Sequence, residues 1–385
     1  MDIAAVTTEL EALPDGVHRS PDTWQICAGR DRWQVQIAPG LLAERRPEWA
    51  ALGGRQFLVV DGGVWLRFGD AIRGYLTSRG VEFAAGVVPR GERAKSLRVV
   101  ESLGKEAYKF GLAKRDLVVG VGGGAAGDVA RTFAAQWRRG TPCACISTTP
   151  LAAIDGHVGL KHFINCGGAK NVFGGFAPAV ITLADPWLFE HVPPQHRVSA
   201  VAEVVKVFLV ASDRDPLLRL MHENVPALRA WAWDQDGVRE ILRHAIDGMV
   251  TELQSNPREA DPRRRVDFGH AIGKIVELAG GMPHGMSVSI DMALMLVLAA
   301  QLGLLTWEFV NETLALMRRY TLPIWHPTLT GANFGRMLHE VKAQRGGLYL
   351  PIPTQPVTWL ETVTIPQLEA AASYLEPLRR SRRIC

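Results

Sequence analysis

Residues 200–210 are apolar at every position except Glu203 and Lys206. Val201, Val204, Val205 and Phe208 fall on one face of a helix. A helix apolar nearly all round is buried, and a buried charge is almost never left unpaired or uncoordinated. Two readings follow. Glu203 and Lys206 share a face at i, i+3 and can pair with each other. Alternatively, Glu203 is a metal ligand beside a lysine that binds phosphate or handles a proton. Two histidines could complete a metal set: His270, after Phe268-Gly269 at the head of a helix read through Glu277, and His284, fourteen positions on in Pro283-His284-Gly285. A Glu/His/His set is the three-ligand pattern of an open zinc site, with a free position for substrate oxygens. No close His-x-x-x-His pair fixes the geometry, and either histidine would also suit an ordinary half-buried position.

A second chemistry is written in Leu117-Val-Val-Gly-Val-Gly-Gly-Gly-Ala-Ala-Gly-Asp128. Leu117 to Val121 reads as a buried parallel strand, Gly122, Gly123 and Gly124 as a turn, and Ala125 to Ala135 as a helix. Such a turn brings bare backbone N–H groups and a helix N-terminus to one point, which favours a phosphate. A tight turn with no ligand uses the same residues. Asp61, at the end of the strand Phe57 to Val60, could take a ribose hydroxyl or cap the turn. The connection Leu151 to Phe176 carries Asp155, His157, Lys161, His162, Asn165, Lys170 and Asn171 among six glycines. These groups suit a polyhydroxylated anionic substrate. A solvated loop is the other reading, against which Ile154, Val158, Leu160, Phe163 and Ile164 would pull the segment inward.

The elements that must position these groups are strands at Trp33–Ile37, Phe57–Val60, Val87–Val88, Leu117–Val121, Cys143–Ile146 and Ala179–Leu183. A helix opens after Pro89-Arg-Gly-Glu92-Arg-Ala-Lys95-Ser96 and runs to about Phe110. Strands alternating with helices make residues 1–190 an α/β, Rossmann-like domain with a mostly parallel sheet. Residues 1 to about 30 lack pattern and read as loosely ordered. From about 195 the periodicity is helical, so residues 191–385 read as a mainly α-helical domain.

Bulk properties agree with two domains. The 385 residues exceed one ordinary core, and 47% are apolar. A net charge of +4 does not announce nucleic acid, and Arg379-Arg-Ser-Arg-Arg383 reads as a solvated tail. Five scattered cysteines argue against a disulfide framework and for a reducing compartment, with Cys143 and Cys145 as core. No secretory signal is visible, and the longest apolar run, Met292 to Leu305, is short for a bilayer. The expectation is a cytoplasmic protein with no membrane partner.

Several motifs, in order, carry a resemblance: Gly122-Gly-Gly-Ala-Ala-Gly-Asp128, Ser147-Thr-Thr-Pro150, Ile154-Asp-Gly-His-Val-Gly-Leu-Lys161, Lys170-Asn171, Ala202-Glu-Val-Val-Lys206, Phe268-Gly-His270 and His284-Gly285. Over residues 33 to 350, roughly, the chain resembles the sugar phosphate cyclases, the superfamily of 3-dehydroquinate synthase. Glu252-Leu-Gln-Ser-Asn-Pro-Arg-Glu259 with Val266-Asp-Phe-Gly-His270, Ser289-Ile-Asp-Met-Ala-Leu294, and Leu322-Pro-Ile-Trp-His-Pro327 with Arg345-Gly-Gly347 before Leu350-Pro351 look most like the C7-cyclitol synthases. These form the 2-epi-5-epi-valiolone synthase group, which cyclises sedoheptulose 7-phosphate. A dehydroquinate synthase would be expected to carry Asn at Asp267 and Lys at Met249.

The resemblance implies a two-domain, dehydroquinate synthase-like homodimer with NAD and a divalent metal, zinc or cobalt, in an interdomain cleft. NAD would oxidise a substrate hydroxyl transiently, phosphate would leave by elimination, and reduction, ring opening and an intramolecular aldol would follow. Glu203, His270 and His284 would hold the metal. Asp155 would contact nicotinamide-side and substrate groups. Lys161, Lys170, Asn171, Lys206, Arg263 or Arg264, and Gln344 would bind the phosphate and hydroxyls. Asp267 would select against a carboxylate-bearing substrate by repulsion. Asp61, Glu92, Lys95, Gly122, Gly123, Gly124, Asp128, Thr148, Thr149 and Thr182 would line the NAD.

The chain also departs from the pattern. Lys274, at i, i+4 from His270, would face the metal as a phosphate ligand or base, or else reach solvent. His157 and His162 stand where small residues are common, Ala125-Ala126 is blander than usual, and Gly175-Phe-Ala-Pro178 is unusual. The other readings are another cyclase of the superfamily (3-dehydroquinate or 2-deoxy-scyllo-inosose synthase), a metal-dependent polyol dehydrogenase, and a non-catalytic paralogue.

Overall fold

The computed structural model describes residues 2–379; Cys385 and the basic cluster beyond Arg379 lie outside the described residues. The chain forms two compact units. The first takes the chain through Val192 plus Met249–Arg258, and the second takes Pro193–Gly248 plus the chain from Glu259 onward.

The first unit opens with α1 (Ile3–Ala12), capped by the Asp2 carboxylate on Ala4 N–H, and the antiparallel meander β1 (Gly16–Ser20), β2 (Thr23–Ala28) and β3 (Asp31–Ile37). The expected looseness of residues 1–30 is therefore corrected. Ile3, Val6 and Leu10 bury one side of α1, at a spacing too short to read as a periodic helix from sequence. Next come β4 (Arg55–Asp61), α2 (Gly62–Thr77), β5 (Glu82–Val88), α3 (Leu97–Phe110), β6 (Leu117–Gly122), α4 (Gly124–Gln136) and β7 (Cys143–Ser147). The stretch expected as a loop is instead a π-helical turn (Ala152–Gly156) followed by an antiparallel hairpin, β8 (Lys161–Cys166) and β9 (Ala169–Phe176). Its apolar residues do turn inward: Ile154, Val158, Leu160 and Ile164 are buried. β10 (Ile181–Ala184) and α5 (Pro186–Phe189) end the run.

Among the described residues the sheet order is β1-β2-β3-β10-β7-β6-β4-β5, parallel from β3 to β5. Parallel strands need cover on both faces, and two apolar clusters provide it. One gathers Leu58, Val60, Val119 and Ile146, and the other Phe57, Val59, Val118 and Val129.

The second unit is helical: α6 (Pro194–Val210), α7 (Arg214–Glu223), α8 (Val225–Ala230), α9 (Asp236–Ser255, whose end belongs to the first unit), α10 (Gly273–Gly280), α11 (His284–Gln301), α12 (Trp307–Arg319), α13 (Gly331–Arg345), a small ladder of β11 (Leu350–Ile352) and β12 (Thr358–Leu360), and α14 (Ile365–Leu378). α6 and α11 form its centre, buried at nearly every position. By length and composition α11 could cross a membrane, yet 83% of it is buried inside the protein, as in a core helix.

Candidate active site

In the second unit three ligand-type side chains meet. Glu203 reaches from the buried middle of α6 with no exposed surface. His284 is the first residue of α11, and Gly285 next to it presses that helix end onto α6. A Cβ at Gly285 would fall 1.8 Å from the Ser199 carbonyl oxygen, and the Gly285 N–H donates to Ser199 Oγ at 2.9 Å. Ser199 is one turn before Glu203, so this contact sets His284 beside the carboxylate.

His270 comes from a loop rather than from a helix opening at Phe268, which corrects the expectation. A 3-10 turn (Arg265–Asp267) precedes it, and Gly269 takes φ +77, where a Cβ would meet Met292 and Val288 under 3 Å away. Asp291 of α11 then pins the loop, accepting from Ala271 N–H at 2.5 Å and Gly273 N–H at 3.1 Å.

The donor atoms of Glu203, His270 and His284 lie within 4.8 Å of one another. Glu203 Oε1 is 3.7 Å from His270 Nε2 and 3.4 Å from His284 Nε2. Three ligands at zinc distances around a tetrahedral centre stand about 3.3 Å apart, so the set fits a divalent cation. The outer ring nitrogens are held as metal ligands require: His284 Nδ1 lies 3.1 Å from Glu277 Oε2 and His270 Nδ1 3.1 Å from Phe268 O. The imidazoles are 21% and 35% exposed, so one side of the set is open.

Charge is concentrated here. Burial opposes ionisation of Glu203, yet Lys206 and the two imidazoles outweigh it and hold the carboxyl well below its usual range. Burial likewise opposes a charged His284, but Glu203 and Glu277 push its pKa up to about 10. Lys206, 2% exposed, pairs with Glu203 Oε2. The two readings of that helix therefore coexist: one oxygen meets the lysine, the other the imidazoles.

Asp267 sits between two guanidiniums, Arg264 Nη1 at 3.1 Å and Arg345 Nη2 at 2.9 Å. Its negative charge is thus flanked by two cations, which the sequence reading of a lone repelling carboxylate did not include. Arg264 also pairs with Glu259, whereas Arg263 is exposed and paired with Glu361. Lys274 is exposed on α10 and donates to Gln344 at 3.2 Å. His270 lies outside that helix, so their expected i, i+4 alignment does not form.

In the first unit, Gly122 closes the β6–α4 turn at φ +156, where a Cβ would lie 2.8 Å from Ala126 Cβ. Gly123 leaves the N-terminus of α4 without a side-chain cap, and a Cβ at Gly124 would meet nothing within 4 Å. Bare N–H groups and open space suit a phosphate. Asp61, at the end of β4, caps the head of α2, accepting from Gly63 N–H at 2.7 Å, and also accepts from Gly91 N–H at 3.1 Å. Thr148 N–H donates to Gly122 O, Thr149 Oγ1 accepts from Ala152 N–H, and Thr182 Oγ1 donates to His157 O.

Lys95 is buried, 2.9 Å from Asp128 Oδ2, and donates to Asn171 Oδ1 at 2.6 Å. Asn171, at φ +58, donates its N–H to Asn165 Oδ1, and Asn165 Nδ2 donates to Glu92. Asp155 is half-buried in the π-helical turn, with Lys161 and Lys170 half-buried on the hairpin. Sequence reasoning passed over Arg131, which pairs with Asp128 and donates to Gly156 O and Gly159 O at 2.7 Å each. The spacing Asp128-x-x-Arg131 on the helix after the glycines was its available signal. Glu277 and Asp291, which orient the metal set, were passed over as well, although Asp291 stands as the one Asp, Glu, Lys or Arg of His284–Gln301, the kind of signal that marked Glu203.

The 3-dehydroquinate synthase N-terminal family matches residues 85–199, and the 3-dehydroquinate synthase C-terminal family residues 200–343. A 2-epi-5-epi-valiolone synthase of Streptomyces albus is 34% identical over 85% of this chain and 82% of its own. A 3-dehydroquinate synthase of Gloeobacter violaceus is 32% identical over 84% and 90%. The solved structure of a 2-epi-5-epi-valiolone synthase from Streptomyces hygroscopicus subsp. jinggangensis, with NAD+ and Zn2+ bound, superposes at TM-score 0.86 with 32% identity, covering 92% of this chain and 100% of that one. With matches across both halves and relatives above 30% identity, the chain belongs to the 3-dehydroquinate synthase-like sugar phosphate cyclases, the family that includes the valiolone synthases.

Proposed function

We propose that this cyclase uses NAD and a divalent metal to convert sedoheptulose 7-phosphate, or a close relative, to a valiolone-type C7 cyclitol with loss of phosphate. The observation that carries the reading is the Glu203, His270 and His284 set at metal-ligand spacing, with its outer nitrogens oriented by Glu277 and Phe268. Met249, buried where a dehydroquinate synthase would carry Lys, favours the C7 substrate over the dehydroquinate one.

When bound, NAD would take and return one hydride, and the metal would polarise the substrate oxygens. Phosphate elimination beside the transient ketone would fall between the two hydride transfers, and ring opening and aldol closure of the carbocycle would follow the second. The net change is phosphate release with no net redox. Glu203, His270 and His284 would hold the cation. Lys206, already against Glu203, would hold or pass a proton at Nζ. Lys161, Lys170, Asn171 and Arg264 would bind phosphate and hydroxyls, with Asp267 orienting Arg264 and Arg345. The glycine turn with Asp61, Glu92, Lys95, Asp128, Thr148, Thr149 and Thr182 would seat the dinucleotide, and Asp155 would stand between nicotinamide and substrate.

The test is an NMR product assay with sedoheptulose 7-phosphate, NAD and zinc or cobalt. A cyclitol and stoichiometric phosphate without net NADH is the expected result. Net NADH would mark a polyol dehydrogenase instead, and no turnover of any ketose or aldose phosphate a non-catalytic paralogue.

A further inference from the structure

His157 is buried to 1% exposure beneath the glycine turn, and both its ring nitrogens are engaged. Nε2 lies 3.2 Å from Gly123 O, and Nδ1 lies 2.8 Å from Ser147 Oγ. A carbonyl can only accept, so Nε2 carries the proton, Nδ1 is the acceptor, and the Ser147 hydroxyl donates to it. Burial, with Arg131 nearby, pushes the imidazole pKa down to about 3, which keeps it neutral at working pH. The backbone is tied as well: His157 N–H donates to Ala152 O at 2.8 Å and its carbonyl accepts from Thr182 Oγ1 at 2.8 Å. The ring also fills the space beside α4, where a Cβ on Gly127 would stand 2.0 Å from Nε2. One position earlier, a Cβ on Gly156 would come within 3.2 Å of Gly124 Cα.

We propose that His157 is a positioning residue of the dinucleotide site, an inference that rests on the NAD reading above. By donating to Gly123 O, it fixes the Gly123–Gly124 peptide so that the Gly124 N–H faces the phosphate. In a planar trans peptide the carbonyl of one residue and the N–H of the next point in opposite directions. Pinning the Gly123 carbonyl inward therefore aims the Gly124 N–H outward from the head of α4. Among the described residues, the Gly123 carbonyl otherwise receives the first-turn N–H groups of Ala126 and Gly127, at 3.1 and 3.3 Å. No side chain caps that end, and glycines on each side leave the turn free to pivot. His157 is the donor from outside the helix that removes this freedom.

The experiment is calorimetric titration of NAD into the full-length wild type, H157M and H157Q, with zinc content and Tm measured alongside. H157M refills the volume without a donor; H157Q keeps an amide N–H. Wild type should bind NAD, and H157M should bind it about ten-fold more weakly, near the worth of one hydrogen bond. Zinc content should be unchanged, and H157Q should recover most of the affinity. Wild-type affinity in H157M would overturn the positioning role, as would equal losses of NAD affinity, zinc and Tm in both variants, which mark packing alone. A wild type that binds no NAD would overturn the dinucleotide reading, and this inference with it.

Discussion

Gly285 stands on Ser199: no atom larger than hydrogen fits between its Cα and the Ser199 carbonyl, because a Cβ would approach to 1.8 Å. That contact holds the head of α11 against α6, and with it His284 against Glu203. Gly285→Ala must push the two helices apart at the metal set. Overpacking of this kind costs about 1–3 kcal/mol, and the displaced imidazole should lose most of the bound zinc. Metal analysis of the purified variant alongside its Tm checks this; full zinc occupancy would refute it.

Glu203 and Lys206 are both buried and paired, so each offsets part of the other's charge. Glu203→Leu should abolish metal binding and destabilise the fold by about 3–5 kcal/mol, because it leaves a lysine charge without its partner. The double variant Glu203→Leu, Lys206→Leu should recover much of that stability and none of the metal. Denaturant unfolding of the two variants separates these outcomes. A double variant no more stable than the single one would show that the pair is not the source of the loss.

How far this site could be read beforehand depended on whether a residue's partners lie near it in sequence. Glu203 and Lys206 announced themselves as the only charges in the apolar stretch of residues 200–210. The glycine turn, the parallel strands and the helical second half were legible from period and punctuation. His270 was found, but its setting was misread. The apolar positions after it continue a helical pattern, while the strained Gly269 and the bonds to Asp291 that break the pattern come from a helix twenty residues on. Asp267 was read as a bare negative charge for a similar reason, since Arg345, which offsets it, is 78 residues away along the chain (345 − 267 = 78). The hairpin of β8 and β9 was hidden because its glycines and polar groups resemble a loop until the pairing is formed.

Asp291 gives the protein a dependence on pH. Burial raises its pKa from 3.8 to about 6, more than the N–H groups of Gly273, Ala271 and Ile272 lower it. The folded state therefore disfavours the ionised form. The cost is absent below the unfolded pKa of 3.8, grows through the window from 4 to 6, and is fully present above it. Asp291→Asn removes the titration. The stability of the variant relative to wild type should thus rise by on the order of 3 kcal/mol between pH 4 and pH 7. Urea unfolding at a series of pH values measures it, and a flat difference curve would show that Asp291 ionises normally.

Gly127 and His157 are coupled in a way that reverses the sign of a mutation. In an exposed helix interior, Gly→Ala is stabilising by about 1 kcal/mol. At position 127 the new Cβ would stand 2.0 Å from His157 Nε2 and 2.4 Å from its Cδ2. Gly127→Ala should therefore destabilise the wild type, because the imidazole is held by Ser147 and Gly123 and cannot yield without breaking both bonds. In a His157→Ala background the obstacle is gone, and the same substitution should regain the ordinary helical preference and stabilise. A double-mutant cycle by thermal unfolding reads the coupling directly. Equal effects of Gly127→Ala in both backgrounds would mean that the ring does not occupy the space beneath α4.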